Sequence, residues 1–283
     1  MKLPIALRPA ARVSLALLGA CLAAPALAQS STPAQSLLDN RFVFNLGAFL
    51  VQTDAKARLD GSSPDNPDVD FDKTFGTGKD ATRIRADALW RFSPNHHLRY
   101  MYFNNTSSRS EVLKEDITWG DYTFETGSNI RADMKYSIQE LAYEYAFMRR
   151  PDYELAASLG VHYTDISLKL SGAAKIDGED IPFASQEASA PVPLPVFGLR
   201  AGWAVAPQWY LDAQAQFFKL KVGDYDGSLS DLRVGATWMY NPNFGIGLGY
   251  DRFFTNLDIN REAYQGRLRF GYSGLRMYLT GTF

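Results

Sequence analysis

The sequence has little of what metal and thiol chemistry needs. Its 283 residues include a single cysteine, Cys21, and only three histidines, His96, His97 and His162. No spacing among these residues matches a metal site. If Cys21 is removed with an N-terminal leader, disulfides, thiol catalysis and cysteine-based metal sites are all excluded. We therefore predict neither a metal nor a cofactor.

A strong charge bias and a long apolar segment are also missing. The 29 Lys and Arg residues are balanced by 31 Asp and Glu residues, for a formal net charge of −2. Nucleic-acid binding is therefore not predicted, because the chain has no basic excess. Mean hydropathy is −0.22. A transmembrane β-barrel fits such values, since its lipid-facing and lumen-facing residues alternate along each strand.

The first 28 residues have the pattern of a secretory signal peptide. Lys2, Arg8 and Arg12 precede an apolar run over 13–24, and Ala-Leu-Ala at 26–28 provides an A-x-A cleavage site. The run is too short for a transmembrane helix, which takes about 20 residues. We expect a cleaved leader over 1–28, an N-terminal periplasmic segment over 29–40, and one folded domain over 41–283.

A lipoprotein signal is the alternative for the leader. The stretch LGAC at positions 18–21 loosely resembles a lipobox, which would make Cys21 an acylated N-terminus. The apolar run before Cys21 is short and a full A-x-A site follows it, so cleavage after Ala28 is the preferred prediction.

Alternation of apolar and polar residues dominates the rest of the chain. In RIRADALWRF, Ile84 to Phe92 place alternate apolar residues on one face and charged residues on the other. LAYEYAF, VFGLRAGWAV, WYLDAQAQFF and LRVGATWMY repeat the pattern. Such segments are strands of a sheet with one apolar face.

The predicted connections alternate between short and long. The short ones lie at 93–96, 149–152, 206–208 and 241–243, and each contains a proline. Long polar connections are predicted at 60–80, 107–128 and 171–190. Short turns at one end and long loops at the other are typical of a transmembrane barrel. A soluble β-sandwich also shows alternating strands, but aromatic residues flank the short turns here, as expected at a membrane interface.

The last ten residues, GLRMYLTGTF, form an alternating strand that ends in an aromatic residue. Leu275, Met277 and Leu279 lie on one face with Phe283. This ending, with the leader and the turn pattern, resembles the small proteobacterial outer-membrane β-barrel proteins, the broad group with OmpA- and OmpW-like barrels. The resemblance implies that the barrel-assembly machinery reads Leu275, Met277, Leu279 and Phe283 as an assembly signal. It also implies outer-membrane lipids and lipopolysaccharide as partners.

The predicted fold is therefore an all-β, antiparallel transmembrane barrel of about ten strands. Eight or twelve strands remain possible. A turn at Tyr272 to Gly274 would split the last strand and give eleven, and a further strand at Ile117 to Phe124 would then give twelve. An even count requires one continuous last strand, so we predict a bulge at Ser273-Gly274, where the apolar residues change from even to odd positions.

Charged side chains are predicted to line the interior. They occupy the faces opposite the apolar stripes: Arg83, Arg85, Asp87, Arg91, Arg99, Glu140, Glu144, His162, Arg200, Asp212, Arg233, Asp251, Arg267 and Arg269. A narrow barrel is filled by its own side chains, whereas a water-filled channel takes about 16 strands. The favoured interpretation is a salt-bridge network that fills the lumen.

Function is less specified than fold, because this fold hosts many activities. We predict a structural or surface-interaction role, or a narrow passive channel. A small-solute pore is one alternative. Another alternative is an outer-leaflet lipid-modifying hydrolase, with His162 beside Glu140 and a serine as nucleophile. However, Ser158 lies about 13 Å from His162 along the strand, too far for a direct hydrogen bond. DYDGSLSD at 224–231 resembles a calcium loop but lacks its terminal glutamate, and Asp-Gly between two strands predicts a hairpin turn first. No catalytic residue is assigned.

Overall fold

Thirteen strands and two short helices make up the structure, a computed structural model that describes residues 31–62, 65–79, 81–222, 225–261 and 264–283. The predicted signal peptide and Cys21 lie outside these residues. Ten strands form the wall: β1 (Phe42–Leu59), β3 (Ala81–Ser93), β4 (His96–Val112), β7 (Asn129–Arg149), β8 (Tyr153–Ile176), β9 (Glu179–Ala206), β10 (Trp209–Val222), β11 (Tyr225–Met239), β12 (Phe244–Arg261) and β13 (Tyr264–Thr282). The other elements are α1 (Ser36–Asp39), β2 (Val69–Asp70), α2 (Phe71–Phe75), β5 (Ile117–Trp119) and β6 (Tyr122–Phe124).

The wall closes on itself. Each of its ten strands pairs antiparallel with its neighbours along the chain, and β1 pairs with β13 from Val43–Thr282 to Leu59–Gly266. The predicted ten-stranded antiparallel barrel is confirmed. The stretch 117–124 does form strands, but β5 and β6 are a small hairpin outside the ring, so it does not raise the count. Within the described residues, no helix is long and apolar enough to cross a membrane.

The two ends of the barrel differ partly as the turn pattern predicts, because the two long connections, β1–β3 and β4–β7, lie at the same end. We call the end with the connections β3–β4, β7–β8, β9–β10 and β11–β12 the turn end, and the opposite end the loop end. The prediction of a long loop at 171–190 is wrong: β8 runs to Ile176, and β9 begins at Glu179. Asp177 and Gly178 form the connection with φ of 50° and 83°. Both angles are positive, as in the tight hairpin turns that Asp-Gly pairs favour.

An exposed apolar belt surrounds the turn-end half of the wall. On β1, Phe44, Leu46 and Leu50 point outward, and on β13 the outward residues Leu275, Met277 and Leu279 are 59–67% exposed. The belt spans about nine residues of β1, from Phe42 to Leu50, and about 9–11 tilted residues cross a bilayer. Large apolar residues exposed all around a barrel imply a lipid environment.

The apolar face changes sides above the belt. On β13, the inward residues Phe270 and Tyr272 are 0% and 3% exposed, whereas Arg269 points outward. The registers of β13 with β1 and β12 run without a shift, so the predicted bulge at Ser273-Gly274 is wrong. The strand stays regular and its surroundings change. In lipid the apolar residues face outward, and above it they form an ordinary inward core.

The loop-end interior is a packed apolar core. Rings from five strands contact one another, including Phe103–Tyr272 at 5.0 Å and Tyr136–Phe270 at 4.9 Å between centroids. The connecting segments insert Phe71, Phe75 and Trp119 into the same core, and all three side chains are buried. The Trp119 indole also donates to the Gln186 carbonyl at 3.2 Å. The loops therefore close the top of the barrel.

Two seams open in the wall towards the loop end. Strands β3 and β4 pair only from Arg85–Phe103 downwards, and β9 and β10 only from Phe197–Phe217 downwards. Proline explains the second seam. Pro191, Pro193 and Pro195 occupy alternate positions of β9, so their missing N–H groups lie on one edge of the strand. That edge cannot continue the pairing with β10.

The N-terminal segment packs against the turn end. Ala34, Leu37 and Leu38 are buried in a small apolar cluster with Val43, Leu89, Tyr210 and Met239. The Ala34 amide donates to the Pro207 carbonyl at 2.9 Å. This segment, residues 31–40, is called the plug below, because it covers the turn-end mouth.

Candidate functional site: the buried charge network

A layer of charged side chains crosses the barrel between the plug and the apolar core. Regular strands place these side chains inward at every second position of β3, β4, β7, β8, β9, β11, β12 and β13. Charges held away from water must pair, because an unpaired one costs several kcal/mol. The layer contains three clusters, each named after one residue.

The Arg85 cluster joins two arginines to two aspartates. Arg85 contacts Asp251 and lies 3.0 Å from Asp87 (NH2 to Oδ1). Arg276 completes it, with NH1 3.4 Å from Asp87 Oδ2 and NH2 3.7 Å from Asp251 Oδ1. The Arg85 guanidinium also lies 5.6 Å from the Phe49 ring centroid, against the floor of the apolar core.

The Arg200 cluster lies towards the turn end. Arg200 Nε is 2.8 Å from Glu144 Oε2, and its NH2 contacts Glu154. Arg99 Nε is 2.7 Å from the other Glu144 oxygen. His97 Nδ1 lies 3.8 Å from Glu144 and 3.7 Å from Glu154. Four different strands meet in this cluster.

The Glu140 cluster combines a histidine, two acids and an arginine. Arg233 NH2 lies 2.6 Å from Glu140 Oε2 and contacts Asp231. His162 Nε2 is 3.3 Å from Glu140 and 3.6 Å from Asp231. The Gln216 amide donates to the second Glu140 oxygen at 2.6 Å. All five side chains are buried.

The same cluster has the donor set of a metal site. Ligand atoms of Glu140, His162 and Asp231 lie within 4.8 Å of one another. However, the Arg233 guanidinium already contacts both carboxylates. A divalent ion would have to compete with this cation for the same oxygens, so the geometry favours a structural cluster over a metal centre.

Three predicted residues point inward but lie outside the clusters. Arg83 bridges the β3–β4 seam, with Nε donating to Asn105 Oδ1 at 2.5 Å and NH2 to the Thr106 carbonyl at 2.9 Å. Arg91 donates to two plug carbonyls, those of Leu37 at 2.7 Å and Asn40 at 2.8 Å. Asp212 makes no ion pair within 4.0 Å among the described residues.

The prediction is wrong for Arg267 and Arg269, which lie on the outer face above the belt. Arg267 Nε is 2.6 Å from Asp258, and both arginines have NH1 3.8 Å from Asp68. The face of a strand opposite its apolar stripe points inward only within the belt. Above it the stripe itself faces inward, and its opposite face meets water.

The predicted network left out four residues that belong to it. Glu154, His97, Asp231 and Arg276 are all 5% exposed or less. Arg276 alternates with Leu275 and Met277, and Asp231 is two residues from Arg233 on the same strand, so alternation alone contains the signal for both. The remaining two adjoin turns, where the inward face is harder to assign.

A small cavity separates the network from the plug. Its volume is about 60 Å³, room for a few water molecules. Arg91, Arg200, Arg233 and Arg276 line it, with Asp212 among the acids. The interior is therefore largely filled by the charged network, with the plug below and the apolar core above.

Comparison with solved structures identifies the fold. The outer membrane protease OmpT from Escherichia coli superposes with a TM-score of 0.56 at 11% identity, covering 87% of this chain and 97% of that one. The fold is that of an outer-membrane β-barrel.

Two further outer-membrane proteins match with lower scores. The Pseudomonas putida toluene transporter TodX has a TM-score of 0.39 at 9% identity, covering 90% of this chain and 93% of that one. The Yersinia pestis attachment invasion locus protein Ail has 0.34 at 11%, covering 84% and 98%. Scores below 0.5 add nothing to the assignment. No protein-family model matches the sequence, and no curated protein is similar to it.

The outer-membrane barrel fold orients the molecule. In such barrels the short turns face the periplasm and the longer connections face the cell exterior. The plug and the Arg200 cluster therefore lie on the periplasmic side. The apolar core and its covering loops lie outside the cell, above the belt.

Proposed function

We propose that this protein is an integral outer-membrane barrel with a closed interior, acting as a structural or surface-interaction protein at its extracellular end. The observation that supports this most is the series of packed layers that fill the barrel interior along its axis. The plug, three ion-pair clusters, a layer of aromatic rings and the inserted Trp119 follow one another. Among the residues that the structure describes, none of these layers leaves a continuous wide passage.

The height of the barrel also supports a surface role. Strands β8 and β9 contain 24 and 28 residues, whereas about 9–11 residues cross a bilayer. More than half of each strand therefore extends beyond the belt. A protein that only anchors in the membrane does not need this extension, which carries polar side chains away from the lipid.

Conductance of the purified protein in planar bilayers tests the proposal. We expect small or no steady current. Replacing Arg85, Arg200 and Arg233 together by alanine should raise the conductance and lower thermal stability, because it removes the three central cations. Large, stable current steps from the unmodified protein would overturn the closed interior and support the small-solute pore instead.

A narrow passive passage is the second candidate. The cavity of about 60 Å³ lies between the plug and the network, and the buried Nε atoms of Arg91 and Arg276 have no hydrogen-bond partner within the described part of the chain. Buried polar atoms of this kind can bind water molecules. A small current that disappears when the plug is crosslinked to the wall would support this candidate.

We do not propose an enzyme. The His162 ring is 0% exposed and held by Glu140 and Asp231. A hydrolase acting on outer-leaflet lipid would need this ring to reach its substrate. Release of fatty acid from lipid A by the purified protein, lost in His162→Ala, would contradict this proposal.

Export and assembly are the finer parts of the localisation proposal. We expect the mass of the mature protein to match a chain that begins at Gln29. The mass of a lipid-modified chain that begins at Cys21 would instead support the lipobox. We also propose that the assembly machinery recognises Phe283 with Leu275, Met277 and Leu279. Phe283→Ala should then reduce assembly in cells while leaving the refolded barrel stable, and Phe283→Tyr should assemble normally.

A further inference from the structure

The outer wall carries one large groove directly above the apolar belt. It measures about 1300 Å³ and runs across β1, β13, β12, β11 and β10. The highest row of the belt here contains Leu50, Leu275 and Tyr250, which pair in register. The next outward row contains Gln52, Ser273 and Arg252. Arg252 is therefore the first charged side chain above the lipid on this face.

Four cations line the groove: Lys56, Lys79, Arg252 and Arg269. Two of them have acidic partners, since Lys56 Nζ is 3.0 Å from Asp70 and Arg269 NH1 is 3.8 Å from Asp68. In the part of the chain that the structure describes, no carboxylate lies within 4.0 Å of the Arg252 guanidinium. The cation of this groove that lies nearest the membrane, Arg252, is therefore less neutralised by acids than Lys56 and Arg269 above it.

The register brings like charges together at this site. Lys56 lies directly opposite Arg269 in the β1–β13 pair, and Arg58 lies opposite Arg267 one outward row higher. Like charges in opposing positions destabilise a sheet. Asp60 and Asp65 pair with Arg58, and Asp258 with Arg267. The lower pair has weaker compensation on its Arg269 side, where the nearest acid is at 3.8 Å.

Small residues between the cations keep the floor of the groove open. Gly271 and Ser273 on β13 and Ser230 on β11 present little bulk on this face. Phe254 stands beside Gly271 and is 46% exposed. An exposed aromatic ring with arginines above and below it suits the boundary between lipid tails and headgroups.

We propose that this groove binds the phosphorylated headgroup of an outer-leaflet lipid. The phosphate would lie between Arg252 and Arg269, over Gly271 and on the β12 side of the groove. Asp54 lies opposite Gly271 on β1, so this acid of the groove lies on the other side of β13. Arginine pairs with phosphate through two parallel N–H donors, which gives strength and orientation. The acyl chains would continue downwards over Tyr250 and Leu275. The site lies on the outer face, so it does not depend on whether the lumen conducts.

Binding of lipopolysaccharide to the detergent-purified protein tests the proposal. Native mass spectrometry would compare phosphorylated lipopolysaccharide with the same preparation after enzymatic dephosphorylation. Arg252→Gln should weaken binding several-fold, and the triple variant Lys56→Gln, Arg252→Gln, Arg269→Gln roughly 100-fold, at about 1 kcal/mol per surface cation. Heat-modified gel mobility checks that each variant is folded; the single variant removes no ion pair seen in the structure.

The matched control removes three cations from the outer face of β7 and β8. The variant Arg131→Gln, Lys135→Gln, Lys169→Gln should bind like the unmodified protein. Equal losses in both triple variants would mean non-specific charge attraction and overturn the site. Equal binding of the dephosphorylated lipid would also overturn it. Competition by inorganic phosphate at matched concentration would assign the groove to a free anion instead of a lipid.

Discussion

Arg233 on β11 donates to Glu140 on β7 with an NH2–Oε2 distance of 2.6 Å, although three strands separate β11 from β7 around the ring. The contact therefore crosses the barrel instead of following its wall. A side-chain bridge of this kind both ties opposite walls together and occupies the section through which a solute would pass.

Removing one partner of this bridge should destabilise the barrel strongly. Arg233→Ala leaves Glu140 and Asp231 buried without their shared cation, at a cost of about 3–5 kcal/mol. Unfolding by denaturant in lipid or detergent measures the loss. Arg83→Ala is the matched control and should cost clearly less, because Arg83 lies at the partly exposed seam and, among the described residues, pairs with no carboxylate. If the two variants have the same stability, the bridge is not a structural element.

A double-mutant cycle separates the bridge from its surroundings. Glu140→Gln with Arg233→Ala should cost less than the sum of the single changes, because the second change removes a charge that is already unpaired. Additive losses would mean that the two residues act independently.

The plug should loosen when Arg91 is replaced. Arg91→Ala removes the donors to the Leu37 and Asn40 carbonyls. We expect faster proteolysis within residues 31–40 and a small rise in ion leak through the barrel. The control is Arg150→Ala, an exposed arginine at the β7–β8 turn on the same end. Unchanged proteolysis in Arg91→Ala would show that the apolar contacts of Leu37 and Leu38 hold the plug alone.

The prolines of β9 should prevent unwanted strand pairing. Replacing Pro191, Pro193 and Pro195 by threonine restores three N–H donors on the edge beside the seam. An unprotected strand edge recruits other strands, so the variant should form oligomers or aggregates at concentrations where the unmodified protein is monodisperse, as measured by light scattering. Ser185→Thr with Ser189→Thr, on the same strand, should behave like the unmodified protein. A monodisperse proline variant would contradict this role.

Acid should release one loop contact at the extracellular end. The Ser62 amide donates to Asp121 Oδ1 at 2.5 Å, and this bond lowers the pKa of Asp121 below its ordinary value. The contact therefore stabilises the loop fully above about pH 4, the ordinary carboxyl pKa, and is lost as pH falls through the lower folded value. Hydrogen exchange at the Ser62 amide should accelerate at the acid end, after correction for its intrinsic rate. Asp121→Asn should show no such transition.

The sequence was sufficient to predict the barrel and part of its interior. Alternation identified Arg85, Asp87, Glu140 and Arg233 as inward residues, because the wall is regular through the belt. The same rule failed for Arg267 and Arg269, since a period of two does not say where the surrounding medium changes from lipid to water. The switch of the apolar residues from even to odd positions at Ser273-Gly274 therefore marks this boundary between lipid and water, and not a bulge.

Other features depend on contacts that no local pattern contains. The pairing of Asp231 with His162 joins strands far apart in the chain. Local reasoning about DYDGSLSD, as a hairpin turn or as a calcium loop, therefore contains no sign of it. The long hairpin of β8 and β9 was mistaken for a loop because its small and polar residues are typical of loops. Only the positive φ values at Asp177 and Gly178 show that a tight turn is enough to connect two extended strands.

The change of apolar face along each strand has a mechanical consequence. Sliding the barrel outward by two residues, about 6.6 Å along the strand, would leave a row of leucines and aromatics in water. Sliding it inward by the same amount would pull Arg252 and its row into hydrocarbon. Both displacements raise the free energy steeply and on all sides at once. The change of apolar face therefore fixes the position of the barrel along the membrane normal.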